Sequence, residues 1–252
     1  MNNNHDFTEG EILRPMLTFR GPVLLAMFLQ SLYGAVDLMV VGKFAEAADA
    51  SGVNTGSQVM MMLTFVVTSF SMAVTILMGQ HIGEKSPEKA GDVIGTGIIM
   101  FAVMAIAMTF AGVMFAPEIA AGLKAPRDAF NQTVSYIRVC SSGFVFIIAY
   151  NVMSGVFRGV GDSVMPLISV TIASVFNIIG DLFFVKGMGM GAKGAAIATV
   201  MAQVMSVILS MFIISKRKMP FILTKDKLRI DKSIAKRIFS LGTPLLLQDI
   251  LV

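Results

Sequence analysis

Val164-Met165-Pro166-Leu167-Ile168-Ser169-Val170-Thr171-Ile172-Ala173-Ser174-Val175-Phe176-Asn177-Ile178-Ile179-Gly180-Asp181-Leu182-Phe183-Phe184-Val185 is an apolar run of bilayer-spanning length that carries one carboxylate, Asp181. About 20 helical residues, at about 1.5 Å each, cross the hydrocarbon core of a membrane. A charged side chain at that depth costs on the order of 2.5 to 3.5 kcal/mol even on insertion scales, so acids held there usually mark an ion or proton pathway. Asn177 precedes Asp181 by four residues and shares its helix face. A second run, 16–41, carries a second acid, Asp37, near its far end.

Four more runs lie around these two, at 55–80, 93–115, 133–157 and 194–215, the third of them with Arg138 in its first turns. The connections hold breakers and charges: Gly83-Glu84-Lys85-Ser86-Pro87, Ala116-Pro117-Glu118, Ala125-Pro126-Arg127-Asp128 and Arg158-Gly159-Val160-Gly161-Asp162. Each reads as a turn at a membrane face. Hydrophobic residues make up 55% of the chain and charged residues 14%, far from the roughly 25% charged of soluble domains. The expectation is an all-α, polytopic membrane protein. Residues 1–215 form a six-transmembrane-helix bundle, 216–236 a basic linker, and 237–252 the start of a second lobe with a truncated seventh helix. Aligning that last segment with the start of the chain pairs Pro244 with Pro22, and 245–247 with 23–25, as a parallel six-plus-six repeat would.

Lys and Arg set the orientation. The face on the amino-terminal side holds Arg14, Arg20, Lys85, Lys89, Arg158 and the nine basic residues between Lys216 and Arg237; Lys43, Lys124, Arg127, Arg138, Lys186 and Lys193 fall on the other. Both ends of the six-helix unit are therefore expected in the cytoplasm, in the inner membrane. This asymmetry, chiefly the linker, accounts for the net charge of +4 without a nucleic acid partner. The polar start, Met1 to Asp6, has no removable signal pattern. The one cysteine, Cys140, excludes an intramolecular disulfide framework, and His5 and His81 are too isolated for a metal site. Gly189-Met190-Gly191-Ala192-Lys193-Gly194 fits the dinucleotide-binding glycine pattern but lacks the acid that should follow about 20 residues later. It reads as the tight turn between helices 5 and 6. No arrangement of serine, histidine and acid supports an enzyme.

Depth tests the acids. Asp181 lies 15 residues after Pro166, about 22 Å along the helix, and Asp37 lies 17 residues after Arg20, about 25 Å. Thr199 comes within about 8 Å of the start of helix 6 by the same rise. All three, with Asn177, can share one layer whose oxygens suit a proton or Na⁺. A competing reading makes both acids interfacial residues snorkelling to water, because Lys43 and Lys186 follow closely. Two carboxylates in one dry layer repel, however, and a shared proton is the natural consequence. Gly34, Gly155 and Gly180 are expected to permit close helix contacts. Met60-Met61-Met62 reads as lipid-facing or core filler, with an adaptable cavity wall as the alternative.

From about Ile12 to Val252 the chain resembles the amino-terminal lobe of the multidrug and toxic compound extrusion (MATE) transporters, in their DinF-like branch. The resemblance rests on Asp37-Leu38-Met39-Val40-Val41-Gly42, Gly79-Gln80-His81-Ile82-Gly83, Arg158 to Asp162, Asn177 to Asp181, and Gly191 to Thr199, in that order. It implies an antiporter that exports drugs or other small, often cationic compounds by alternating access, driven by H⁺ or Na⁺ and needing no other cofactor. It also implies a partner lobe carboxy-terminal to this one. The family's cation site falls on Asp37, Asn177, Asp181 and Thr199, and Tyr136 and Pro22 match positions associated with the same pocket. The alternative is a lipid-linked oligosaccharide flippase of the same superfamily, which should line its cavity with several cations where only Arg138 offers itself.

Overall fold

The structure, a computed structural model, describes residues 13–217 and 219–251. The readings of the first six residues with His5, of Lys218 in the linker and of Val252 lie outside the described residues. Among the described residues every regular element is helical. In chain order they are α1 (Leu13–Phe44), α2 (Ala47–Gly83), α3 (Pro87–Met114), α4 (Ala116–Gly122), α5 (Phe130–Ser142), α6 (Phe144–Gly159), α7 (Val164–Asp181), α8 (Gly191–Lys216) and α9 (Lys232–Leu251). Helices α1, α2, α3 and α8, and α7 with its extension to Gly187, are long and apolar enough to cross a membrane; α5 and α6 meet that test only as a pair bent at the break between them, which brings the number to six when the pair is one span.

Helix α2 is the hub, packed against α1, α3, α5, α6, α8 and α9. Its Val53, Val67, Leu77 and Met78 are fully buried, and Phe144 and Phe157 of α6 are the largest side chains sealed inside the lobe. Outward, Leu24, Met27 and Phe28 of α1, Ile106 and Phe110 of α3 and Phe212 of α8 are exposed, as side chains against lipid would be. Met60 joins the core, whereas Met61 and Met62 are exposed.

Four features differ from the sequence reading. The run 133–157 is not one straight span: α5 and α6 meet at Gly143 with a bend of 54°. A Cβ on Gly143 would collide with the Val200 side chain of α8, so the break sits where that side chain presses on the bend. Ala116-Pro117-Glu118, expected as a turn, opens the short helix α4, where a first-turn proline loses no hydrogen bond. The 216–236 linker, read from the sequence only as basic, is docked on α3 while most of its described side chains stay exposed. Its Ile222 N–H donates to Pro87 O (3.2 Å), Lys227 Nζ reaches Asp92 Oδ1 (3.0 Å) and Glu88 O (2.6 Å), and Asp231 N–H donates to Thr96 Oγ1 (3.3 Å). This segment crosses α3 over Gly91 and Gly95, where a Cβ would strike the carbonyls of Ile222 and Lys227. Finally, α9 starts at Lys232, before residue 237, because Asp231 Oδ1 accepts the N–H groups of Ser233 (2.8 Å) and Ile234 (3.1 Å) and caps it.

The expected glycine contacts divide. Gly155 lies against Ser71 and Thr75, and Gly180 against Ala198, but nothing approaches Gly34. Gly189 and Gly191 have φ of 66° and 52°, forming the tight turn into α8. Pro22 and Pro244 both lie inside helices, α1 and α9.

Candidate cation site

The site forms where α1, α7 and α8 meet. Helix α1 packs along α7, and α7 along α8, so side chains spaced by three or four residues on each helix converge on one layer. Asp37 comes from α1, Asn177 and Asp181 from α7, and Thr199 from α8. The Asn177 Nδ2 donates to Thr199 Oγ1 at 3.4 Å. The Asp37 and Asp181 carboxyls are neighbours in this layer, with no hydrogen bond to either Asp181 oxygen. All four predicted residues are thus brought together.

Burial decides between interior and interfacial acids. Asp37 is 6% exposed and Asp181 0%, so neither snorkels to water. The neighbouring lysines do so instead: Lys43 and Lys186 place their ammonium groups 5.5 and 4.9 Å from the Phe44 ring, marking the rim of the lobe. At Leu182, immediately after Asp181, the chain changes to π winding through Gly187. Such turns interrupt a helix at a cost and concentrate at functional sites.

The hydrogen-bond inventory is incomplete. Asp37 Oδ1, Asn177 Oδ1 and both Asp181 carboxyl oxygens are buried without a partner. A buried polar atom left unmatched costs about 1 to 3 kcal/mol, and native proteins rarely cluster four. These are hard oxygen donors, two of the residues bearing carboxylates, a set suited to a proton or a small hard cation. Among the described residues no group of three or more His, Cys, Asp or Glu side chains is placed to hold a metal ion.

Around the carboxyls stand residues that the sequence reading missed. Tyr33 lies on α1 one turn before Asp37, Gln203 lies on α8 one turn after Thr199, and the two side chains are within hydrogen-bonding reach. Cys140 and Tyr136 of α5 lie within reach of each other and near Asp37. The i, i+4 spacing from Asp37 and Thr199 was the available signal for Tyr33 and Gln203. Tyr136 is buried beside the site, where its ring fills the space that Gly56 leaves. Pro22 is not brought there: it lies 15 residues from Asp37 on the same continuous helix, about 22 Å away.

Two other aspartates organise the ends of the same helices. Asp162 Oδ1 accepts the N–H groups of Val164 and Met165, each at 3.0 Å, capping α7, while its Oδ2 receives Arg217 at 2.6 Å. Asp49, at the start of α2, accepts the Ala192 N–H at 2.8 Å and caps α8 at the opposite face.

The model of the MatE family matches residues 22–183. The chain belongs to the MatE family. MatE relatives include the protein named Probable multidrug resistance protein YpnP from Bacillus subtilis (strain 168), 27% identical over 220 residues, which are 86% of this chain and 49% of YpnP. Another is the Multidrug export protein MepA of Staphylococcus saprophyticus subsp. saprophyticus (strain ATCC 15305), 20% identical over 98% of this chain and 54% of MepA. The MatE fold is also that of a crystal structure of MATE in complex with MaD3S, with a TM-score of 0.90 and 22% identity over 99% of this chain and 56% of that one. The chain therefore spans about half the length of the curated relatives it matches.

Proposed function

We propose that this MatE chain is the first lobe of an antiporter that exports drugs or other small, often cationic, amphipathic compounds by alternating access, coupled to inward movement of H⁺ or Na⁺. The observation that carries the reading is the cluster of four unpartnered buried oxygens on Asp37, Asn177 and Asp181, inside a lobe whose helices can span a bilayer. Multidrug resistance and export, which name YpnP and MepA, support the substrate class. The excess of Lys and Arg on the amino-terminal face supports a cytoplasmic amino terminus in the inner membrane.

Asp37, Asn177, Asp181 and Thr199 hold the coupling ion. Without it the two carboxylates repel in a site with little water to screen them. Binding a cation removes that repulsion and lets the far ends of α1, α7 and α8 close on one another, with the π turn at Leu182 as the place where winding can change. The ion biases the lobe only as far as it binds one packing better than the other. A second lobe supplies the other wall of the substrate cleft. The flippase alternative draws no support from the basic residues: Arg138 is exposed, and Arg158 is a single part-buried guanidinium with an unpartnered Nε, not a phosphate-binding group of cations.

The test is dye transport by membrane vesicles bearing the whole protein encoded by its gene, under imposed proton or sodium gradients. Export should follow one of the two gradients in the wild type and lose that dependence in Asp37→Asn and Asp181→Asn. Gradient-driven export that persists in both variants would remove the coupling site.

A further inference from the structure

The polar layer does not end at the carboxyls. On α8, Thr199, Gln203, Ser206 and Ser210 follow at intervals of four, three and four residues, which places all four on one helix face. That face meets α7, which brings Asn177 and Ser169 against it, while the Ser174 hydroxyl stays within α7, donating to Val170 O at 2.8 Å. Asn177 bonds Thr199; Ser206 Oγ donates to Ser169 O at 3.2 Å; Ser169 Oγ and Ser210 Oγ stand 3.4 Å apart. Below them Arg217 and Asp162 close the seam at the amino-terminal face. Serines alone would be ordinary small-residue packing between membrane helices. Gln203 is different: it is 8% exposed, its side chain is within reach of Tyr33 on α1, and its Oε1 is still buried with no partner, at a sequence position between Thr199 and the serine pair.

We propose that the α7–α8 seam is a proton relay joining the carboxyl pair to the amino-terminal face, with Gln203 anchoring its central water. The proposal rests on the coupling-site reading above and selects the proton as the ion, since polar atoms 3.2 to 3.4 Å apart leave no passage for a hydrated metal cation. Successive rungs lie about a helical turn apart, about 5 Å, a gap that one water bridges. The proton leaves a carboxyl oxygen for the water held by Gln203 Oε1. Each hydroxyl or water then accepts one proton on its oxygen and passes its own onward, so none changes its net protonation. The carboxyl is left as carboxylate, and the proton emerges into water beside Asp162.

The experiment uses the isosteric pair Ser206→Thr and Ser206→Val in the purified whole protein, and follows the infrared band of the protonated carboxyls after a pH jump. Asp37→Asn and Asp181→Asn identify that band. Both Ser206 variants add the same bulk, so a packing effect moves them equally. The relay predicts that Ser206→Val slows carboxyl equilibration by about tenfold or more while Ser206→Thr stays within about twofold of wild type. Gln203→Leu should slow it similarly. Equal rates in the Thr and Val variants overturn the relay and leave the coupling site standing. A band that survives in the Asp37→Asn, Asp181→Asn double variant overturns the coupling site itself.

Discussion

Asp162 and Asp181 stand at opposite ends of α7, and the fold treats them in opposite ways. Asp162 spends both oxygens on structure, one capping the helix through Val164 and Met165 and the other holding Arg217. Asp181 is fully buried and has no partner on either oxygen. The chain thus supplies donors to a carboxylate where an end must be tied, and withholds them where the helices carry a charge into the lobe. An unmatched buried acid destabilises the fold, so its presence argues for a partner that comes and goes.

The sharpest way to break this contrast is to remove the charges. Asp181→Asn and Asp37→Asn should lower gradient-driven export by about 100-fold or more, the scale of losing a proton-transfer group, while the thermal midpoint of the purified protein stays the same or rises. A fall of the midpoint with export retained would reverse the assignment of roles. Asp162→Ala should do the converse. It removes a cap and an exposed pair, costing about 1 to 2 kcal/mol in a denaturation midpoint, with export per folded molecule within about twofold of wild type. Asp49→Ala extends the comparison to the other face, where losing the cap on α8 should cost about 1 kcal/mol and leave coupling intact.

Smaller again is the effect at Asp92, whose salt bridge to Lys227 helps hold the linker on α3. Asp92→Ala should raise tryptic cleavage at Lys225 to Arg229 several-fold while changing global stability by less than about 1 kcal/mol. The faintest signal belongs to Glu84. Its exposed carboxyl is held below the ordinary glutamate value by its hydrogen bond to His81, with the positive charges of Lys89 and Arg237 adding to this. Because the folded value lies below the unfolded one, this contribution is present above the unfolded value and lost as pH falls through the folded one. Glu84→Gln should therefore lower the neutral plateau of a melting-temperature profile slightly and leave its most acidic end unchanged, so that the acid limb is flatter.

Much of this contrast was legible in the sequence, because the spans and the acids are both statements about single helices. Runs of about 20 apolar residues fix the spans, and the i, i+4 spacing of Asn177 and Asp181 fixes their shared face. What required the structure were facts about two helices at once. The bend at Gly143 depends on Val200 of α8, and the docked linker depends on Gly91 and Gly95 of α3. The lack of partners at Asp181 depends on what α1 and α8 do not offer it. Pro22 was drawn to the site only by resemblance; the rise of an uninterrupted α1 separates it from Asp37. Gly34 illustrates the same limit, since glycine permits a close contact without specifying one.

The central claim is that the oxygens of Asp37, Asn177 and Asp181 take up a cation that the fold itself does not supply. Titrating the purified whole protein for ion uptake, by pH-stat for protons and by calorimetry for Na⁺, in the wild type and in an Asp37→Asn, Asp181→Asn double variant, tests it most directly. The account predicts uptake of one cation per molecule in the wild type that is absent from the double variant. Equal uptake by the two proteins would contradict it.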